Sequence, residues 1–398
     1  MTGFSIVTLG VILLTASAVA ILSRRLQLPY SVGLVCAGIL LALLPQGIEF
    51  PLSRDLVFTV FLPPLVFEAA IQLNWRDFRS NLLPTALLAF PGVAIASCIV
   101  AIGSYFLLGW SFLGAAMFGA LIAATDPVSV ITAFKQLSVP GRLRVLVESE
   151  SLLNDGAAAV GFSLLSGIAA GAAATVTAVA GALVWSIVGG VAAGVAVAFL
   201  LLLLAGRTED HMVEITLTTI AAYGSFLLAE HFGMSGVLAS LSAGLVVRNL
   251  GWRRAISEQG RGHVLAFWEY AAFLANSVVF ILIGGQEAHR LTGLFAASTA
   301  VAIGLVLVGR AAAVYPLAAL LMPTRWKIDI LHQHVLFWGG LRGALALALA
   351  LALPENVPER SEIIVVAFAV VAFSIFVQGL TMPSLIRRLG LTAPAQSD

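Results

Sequence analysis

Apolar residues in this chain run in long blocks, broken only briefly by polar residues, and the blocks predict helices rather than strands. Their approximate limits are 4–22, 31–45, 55–73, 82–108, 111–134, 144–169, 175–205, 212–230, 234–248, 264–285, 292–322, 329–353 and 361–386. Many reach the ~18 apolar residues that mark a membrane-crossing helix. Blocks 31–45 and 234–248 are short. Block 175–205 reads either as one long tilted helix or as two pieces parted at Gly189-Gly190. The pattern predicts an all-α polytopic membrane protein of about 13 transmembrane helices.

Two blocks are interrupted. In LIAATDPVSVITAF, Pro127 removes a backbone donor and disfavours helix at Asp126. Asp126 is a good N-cap, and proline suits the first helical position after it. The block therefore reads as two half-helices meeting at Thr125-Asp126. Such a break frees carbonyls and exposes a helix N-terminus, which is tolerable only against a cavity or packed protein. A plain proline kink is the simpler reading, but a kink needs no acid beside it. In FWGGLRGALALALALAL, Gly339, Gly340 and Gly343 weaken the helix around Arg342. The interrupted blocks are the fifth and the twelfth. An odd offset inverts the second copy, so the chain divides into inverted repeats, about 1–169 and 212–388, linked by 175–205. The repeat is topological, with no convincing self-similarity. Residues 1–388 form a single transmembrane domain, and 389–398 a short tail without a regulatory domain.

Composition agrees with the block pattern. Of 398 residues 60% are hydrophobic and only 10% charged, against about 45–50% and about 25% in soluble domains. Mean hydropathy is +1.03. The net charge of +1 gives no sign of nucleic-acid or acidic partners. Cys36 and Cys98 both fall in apolar blocks, so neither a disulfide nor a metal site is indicated. The first block ends at Arg24-Arg25 and has no basic region before it, so it reads as a retained helix.

Charge also sets orientation. With the N-terminus outside, 16 of the 21 basic residues fall in inside loops and three (Arg54, Arg290 and Arg360) outside. That asymmetry predicts N-outside, C-cytoplasmic. Arg310 and Arg342 remain, both within blocks and far from an end from which to snorkel.

The acids concentrate in ESESLLNDGAAAVGF, 148–162. At helical spacing Ser151 and Asp155 share a face, Glu148 lies a turn earlier, and Glu150 and Asn154 form the neighbouring stripe. Small residues after Asp155 let another helix approach closely. A carboxyl so placed can hold a proton, or release it and hold a small cation with hydroxyl and carbonyl oxygens. Glu148 reads equally well as a solvated acid at a helix end. Glu68, beyond Pro63-Pro64, is a candidate cavity-lining acid. For Glu214, Glu269 and Asn276, interhelical hydrogen bonding or a helix-end position is at least as good a reading.

At TDPVSV (125–130), ESLLNDG (150–156) and GGLRGAL (339–345) the chain resembles the cation:proton antiporter 1 family, the NhaP-type sodium/proton antiporters. FLPPLVFEAA, LLAEHFGMSGVLASLSAGLVV and FWEYAAFLANSVVFILIG extend the likeness over most of the membrane domain. The resemblance implies an antiporter fold with two broken crossing helices, a mobile core domain and a dimerisation domain. It implies electroneutral exchange of one sodium or lithium ion for one proton by alternating access, in a homodimer. Asp155 would bind cation and proton, with Ser151 and Thr125 supplying oxygens and Glu68 in the ion cavity. Asn154 and Asp126 would stabilise the unwound crossing, and Glu150 would pair with Arg342. Electrogenic relatives carry Asp-Asp where this chain has Asn154-Asp155, which fits one-for-one exchange. No cofactor is implied beyond the transported ions, and the partners are lipid, a monovalent cation and a second copy. The alanine-rich composition suggests a bacterial inner membrane.

Sodium and potassium both remain open as the cation. An intramembrane aspartyl or zinc protease would need a second catalytic partner, yet no H-E-x-x-H occurs and the six histidines show no ligand spacing within spans. A cation channel is the remaining rival. Two broken helices and one titratable acid favour alternating access over a filter.

Overall fold

The structure is a computed structural model that describes residues 6–26, 29–43, 56–139, 141–173, 175–206, 209–288 and 297–392. Among these the regular elements are all helices. They are α1 (Ile6–Leu26), α2 (Tyr30–Ala42), α3 (Leu62–Gln72), α4 (Leu82–Leu108), α5 (Phe112–Ala123), α6 (Val128–Leu137), α7 (Gly141–Ala169) and α8 (Val176–Ala205). The second half holds α9 (His211–His231), α10 (Gly236–Val246), α11 (Glu258–Ala288), α12 (Ala297–Leu321), α13 (Ile330–Trp338), α14 (Ala344–Leu351) and α15 (Arg360–Arg388). The outer ends of the predicted blocks at residues 4–5, 44–45, 55 and 292–296 lie outside the described residues. So do Arg54, Arg207, Arg290 and the tail from 393.

Eight described spans are long and apolar enough to cross a membrane unaided: α4, Phe112–Leu137, α7, α8, α9, Glu258–Gly285 of α11, α12 and α15. Gly10–Ser23, Tyr30–Ala42, Val57–Gln72 and Gly236–Gly251 are shorter apolar helices. The block predicted over 329–353 is two short helices, α13 and α14, parted at 339–343. The block holding Pro127 is likewise split, into α5 and α6.

Block 175–205 has no break, because its glycines serve packing instead. A Cβ on Gly190 would sit 2.6 Å from the Ser235 carbonyl oxygen, and one on Gly194 would collide with the Ala239 carbonyl. The missing side chains let α8 lie directly on α10. The same device joins α2 to α11, where a Cβ on Gly38 or on Gly284 would lie 3.0 Å from the other's Cα. Short α2 is thereby held against a helix more than twice its length.

The main apolar cluster collects Phe118 and Leu121 of α5, Ala158 of α7, Phe280 of α11, Leu347 of α14 and Phe368 of α15. Within the same interior lie Thr125, Glu150, Ser151, Asn154, Arg310, Arg342 and Ser374, all buried. Polar groups at this depth are costly unless partnered, so their contacts locate the site.

Candidate functional site at the helix crossing

The two interruptions meet. Asp126 N–H donates to the Leu341 carbonyl at 2.7 Å, which joins the break of the first split helix to that of the second. Gly343 presses against Asp126, and a Cβ there would fall within 2.5 Å of Asp126 Oδ2. Only glycine lets the two backbones come this close. Asp126 Oδ1 accepts from the Val128 N–H at 2.9 Å. Pro127 rather than Asp126 takes the cap position of α6, so the helix begins one residue later than expected.

Each split helix ends its first half on a guanidinium. Arg342 Nη1 donates to the carbonyls of Ala123 (2.7 Å) and Ala124 (3.2 Å) at the end of α5. Arg310, on α12, donates from Nη2 (2.9 Å) and Nε (3.3 Å) to the Leu336 carbonyl near the end of α13. A break leaves carbonyls without intrahelical partners and a partial negative charge at that end, and a cation answers both. The Arg342 backbone is fixed in turn by Ser374, whose Oγ accepts from the Arg342 N–H at 3.0 Å and donates to its carbonyl at 3.1 Å.

This geometry corrects one expectation. Glu150 pairs with Arg310, not Arg342: Arg310 Nη1 lies 2.7 Å from Oε1, and Nη2 lies 3.1 Å from Oε2. The fork-to-fork match is the strong form of a charged hydrogen bond. Arg342 turns Nη1 to the α5 carbonyls and, among the described residues, forms no ion pair with a carboxylate. A mid-span arginine in LVLVGRAAAVY was the available signal for Arg310, but its sequence context alone names no partner.

On α7, Ser151 Oγ donates to the Thr125 carbonyl at 2.7 Å, and Thr125 Oγ1 donates back to Ser151 Oγ at 3.3 Å. Asn154 Nδ2 donates to Glu150 Oε1 at 3.2 Å. Three buried polar atoms have no partner here: Asp155 Oδ1, Asn154 Oδ1 and Arg342 Nε. Thr125, Asp126, Ser151, Asp155, Asn276 and Gly343 line a cavity of about 80 Å³. The cavity thus gathers carboxylate, hydroxyl and carbonyl oxygens, the donor set for a hard monovalent cation. Asp155 brings to it a carboxylate oxygen not already spent on a protein hydrogen bond.

Glu68 is not brought into this group. It sits on α3 beside the cavity-lining Leu65, Val66 and Ala69 but is not among the residues that line the cavity. It accepts from Gln72 Nε2, and its charged neighbours are Lys135, Glu148 and Glu269. Glu148 is ion-paired with Arg144 at 2.7 Å on its own helix. Glu214 accepts from the Ser257 N–H at 2.7 Å, far along the chain from the crossing residues. Asn276, for which interhelical bonding was as good a reading, is a cavity residue.

The profile of the family described as "Sodium/hydrogen exchanger, transmembrane" matches residues 11–388. The chain is 39% identical over 390 residues to the Na(+)/H(+) antiporter ApNhaP of Aphanothece halophytica, spanning 97% of this chain and 74% of that protein. It is 32% identical over 403 residues to the Na(+)/H(+) antiporter NhaP of Pseudomonas aeruginosa, spanning 94% of each. In structure it resembles the sodium proton antiporter MjNhaP1 from Methanocaldococcus jannaschii, with a TM-score of 0.77 over 96% of this chain and 97% of that one, at 18% identity.

Proposed function

This chain belongs to the sodium/hydrogen exchanger family, and from that premise we propose that one carboxylate, Asp155, carries its sodium/proton antiport. The family is one of transporters, not of catalysts. The chain is a multi-pass membrane protein that exchanges sodium for protons.

The reading rests on one observation. Asp155 presents a buried, unpartnered carboxylate oxygen to a cavity that also holds the Ser151 and Thr125 oxygens. Deprotonated Asp155 takes sodium, with Ser151 and Thr125 completing the oxygen set. Protonation removes the charge that held the ion, so sodium and proton compete for one site. A bare carboxylate is costly within the bilayer. Only the sodium-loaded or protonated site therefore crosses during alternating access.

The charges around the crossing support one-for-one exchange. Arg310 and Arg342 offset Glu150 and Asp126, which leaves the charge of Asp155 to be cancelled by one sodium ion or one proton. Either loaded form is then neutral, and the exchange is electroneutral.

The wider architecture follows the same logic. Inverted repeats of about 1–169 and 212–388, linked by 175–205, each contribute one split helix whose first half ends on a guanidinium. Within the single membrane domain 1–388 the crossing forms the moving part. The loop charges favour an N-terminus outside and a C-terminus in the cytoplasm, and the family supports a plasma-membrane homodimer.

The test is Asp155→Asn in proteoliposomes with lithium, sodium or potassium supplied against a proton gradient. The variant should lose all cation-dependent proton movement while keeping its fold. Exchange near the normal rate would overturn the assignment of Asp155. Uphill cation movement driven by a proton gradient separates an exchanger from a channel.

A further inference from the structure

The stretch from the end of α10 into the first turn of α11 holds a group of cations that antiport does not use. The guanidinium of Arg248 lies over the Trp252 ring, with Cζ 3.4 Å from the ring centroid. Arg261 approaches the same ring, its Cζ 5.9 Å from that centroid, and donates from Nη2 to the Trp252 carbonyl. Two positive charges thus share one indole. Cation–π attraction holds each to the ring but does not relieve their mutual repulsion.

No carboxylate closes the group. Arg248 makes no ion pair among the described residues. Arg261 reaches only Glu258, at 4.0 Å, and that side chain is 92% exposed. Glu214 comes to the same stretch from α9, where Oε1 accepts from the Ser257 N–H and Oε2 has no donor, but among the described residues it forms no ion pair with either arginine. Three buried donors meanwhile lack any acceptor: Arg248 Nε, Trp252 Nε1 and Arg261 Nε. Buried donors left unmade are costly, and here three of them sit on neighbouring side chains.

We propose that Arg248, Trp252 and Arg261 cradle a phosphate group, supplied by the headgroup of an anionic lipid or by free phosphate. A phosphate brings the missing negative charge and several acceptor oxygens at once, and a guanidinium edge matches its geometry. The surroundings place the cradle at headgroup level. Beside it lies a surface helix, Trp75–Ser80, bearing exposed Trp75, Arg76 and Arg79 and tied to that stretch by Trp75 N–H donating to Asn249 Oδ1 at 3.0 Å. Tryptophan and arginine at the end of an apolar span mark the membrane–water boundary, where anionic lipid collects. The proposal stands apart from the assignment of Asp155, since its readout is binding rather than transport.

Native mass spectrometry of the full chain tests it, with retained phosphatidylglycerol compared with phosphatidylcholine. Thermal unfolding in detergent, with and without inorganic phosphate, forms the second arm. The Arg248→Gln/Arg261→Gln pair should weaken phosphatidylglycerol retention roughly 30-fold, from two lost surface cations. Arg253→Gln, an exposed arginine outside the cradle, should weaken it no more than about fivefold, the share of one surface cation. Preference for phosphatidylglycerol in wild type assigns the cradle to lipid. Protection by inorganic phosphate without lipid preference assigns it to the free ion. If the glutamine pair does not fold, Arg248→Lys/Arg261→Lys carries the test, keeping charge while losing the fork, with several-fold weaker binding expected. Wild-type retention and wild-type phosphate protection in whichever pair folds would overturn the proposal.

Discussion

The exchange of partners at Glu150 makes a prediction that separates the two arginines. Arg310→Gln removes both hydrogen bonds to the Glu150 carboxylate, which keeps only the Asn154 amide at 3.2 Å. Removing one partner of a buried pair costs about 3–5 kcal/mol, because the other charge stays buried without compensation. The variant also uncaps the Leu336 carbonyl, which accepts from the same guanidinium. A double-mutant cycle with Glu150→Gln separates the two effects, because the loss at Leu336 is common to Arg310→Gln and to the double variant and cancels. The Glu150–Arg310 coupling should be about 2–3 kcal/mol, in the upper range for residues in direct contact. The corresponding cycle with Arg342→Gln should give less than half of that, since Arg342 bonds to Ala123 and Ala124 instead. Unfolding by sodium dodecyl sulfate in mixed micelles, followed by circular dichroism, supplies the four stabilities of each cycle. A Glu150–Arg342 coupling equal to or larger than the Glu150–Arg310 coupling would refute the pairing.

Two further outcomes follow from the same contacts. Ser151→Ala removes a cavity oxygen and the donor to the Thr125 carbonyl; sodium concentration at half-maximal exchange should rise about tenfold, and an unchanged value would remove Ser151 from the ion's oxygen set. At the opposite end of α5, slight burial pushes the Glu359 carboxyl up, but hydrogen bonds from Ser111 Oγ (2.7 Å) and Ser111 N–H (3.0 Å) outweigh it and hold the group below its ordinary value. The stability from this tie is therefore complete above the usual glutamate range and is lost as pH falls through the lower folded value. Ser111→Ala should flatten the acid side of the stability–pH profile, and an unaltered acid limb would show that the tie contributes nothing.

The segments were legible because a helix that crosses a membrane needs a long apolar run, and nothing in a soluble fold imitates that run from end to end. Block 82–108 coincides with α4, and the split at Thr125-Asp126 follows from the rigid ring of Pro127. The glycines of 175–205 were ambiguous for a physical reason. A glycine that weakens a helix and one that admits a neighbouring backbone look alike in sequence, and only the position of Ser235 and Ala239 decides between them.

The pairing of Glu150 was hidden for a different reason. A charge inside a span must be partnered, but the sequence does not say by which of two arginines. The deciding demand comes from the breaks. Each split helix leaves carbonyls at the end of its first half, and these compete with carboxylates for guanidinium groups. Arg342 answers Ala123 and Ala124 through Nη1, and its remaining donors are not placed within ion-pair distance of Glu150. Arg310 answers Leu336 with Nε and Nη2 and still turns Nη1 and Nη2 to the carboxylate. Glu150 therefore belongs to the arginine whose cap also brings its fork within hydrogen-bond reach of the carboxylate. That pairing ties α7, the helix of Asp155, to the end of α13, one side of the crossing. A movement of the split helices that keeps this pair would carry Asp155 with it, as the proposed exchange at one carboxylate requires.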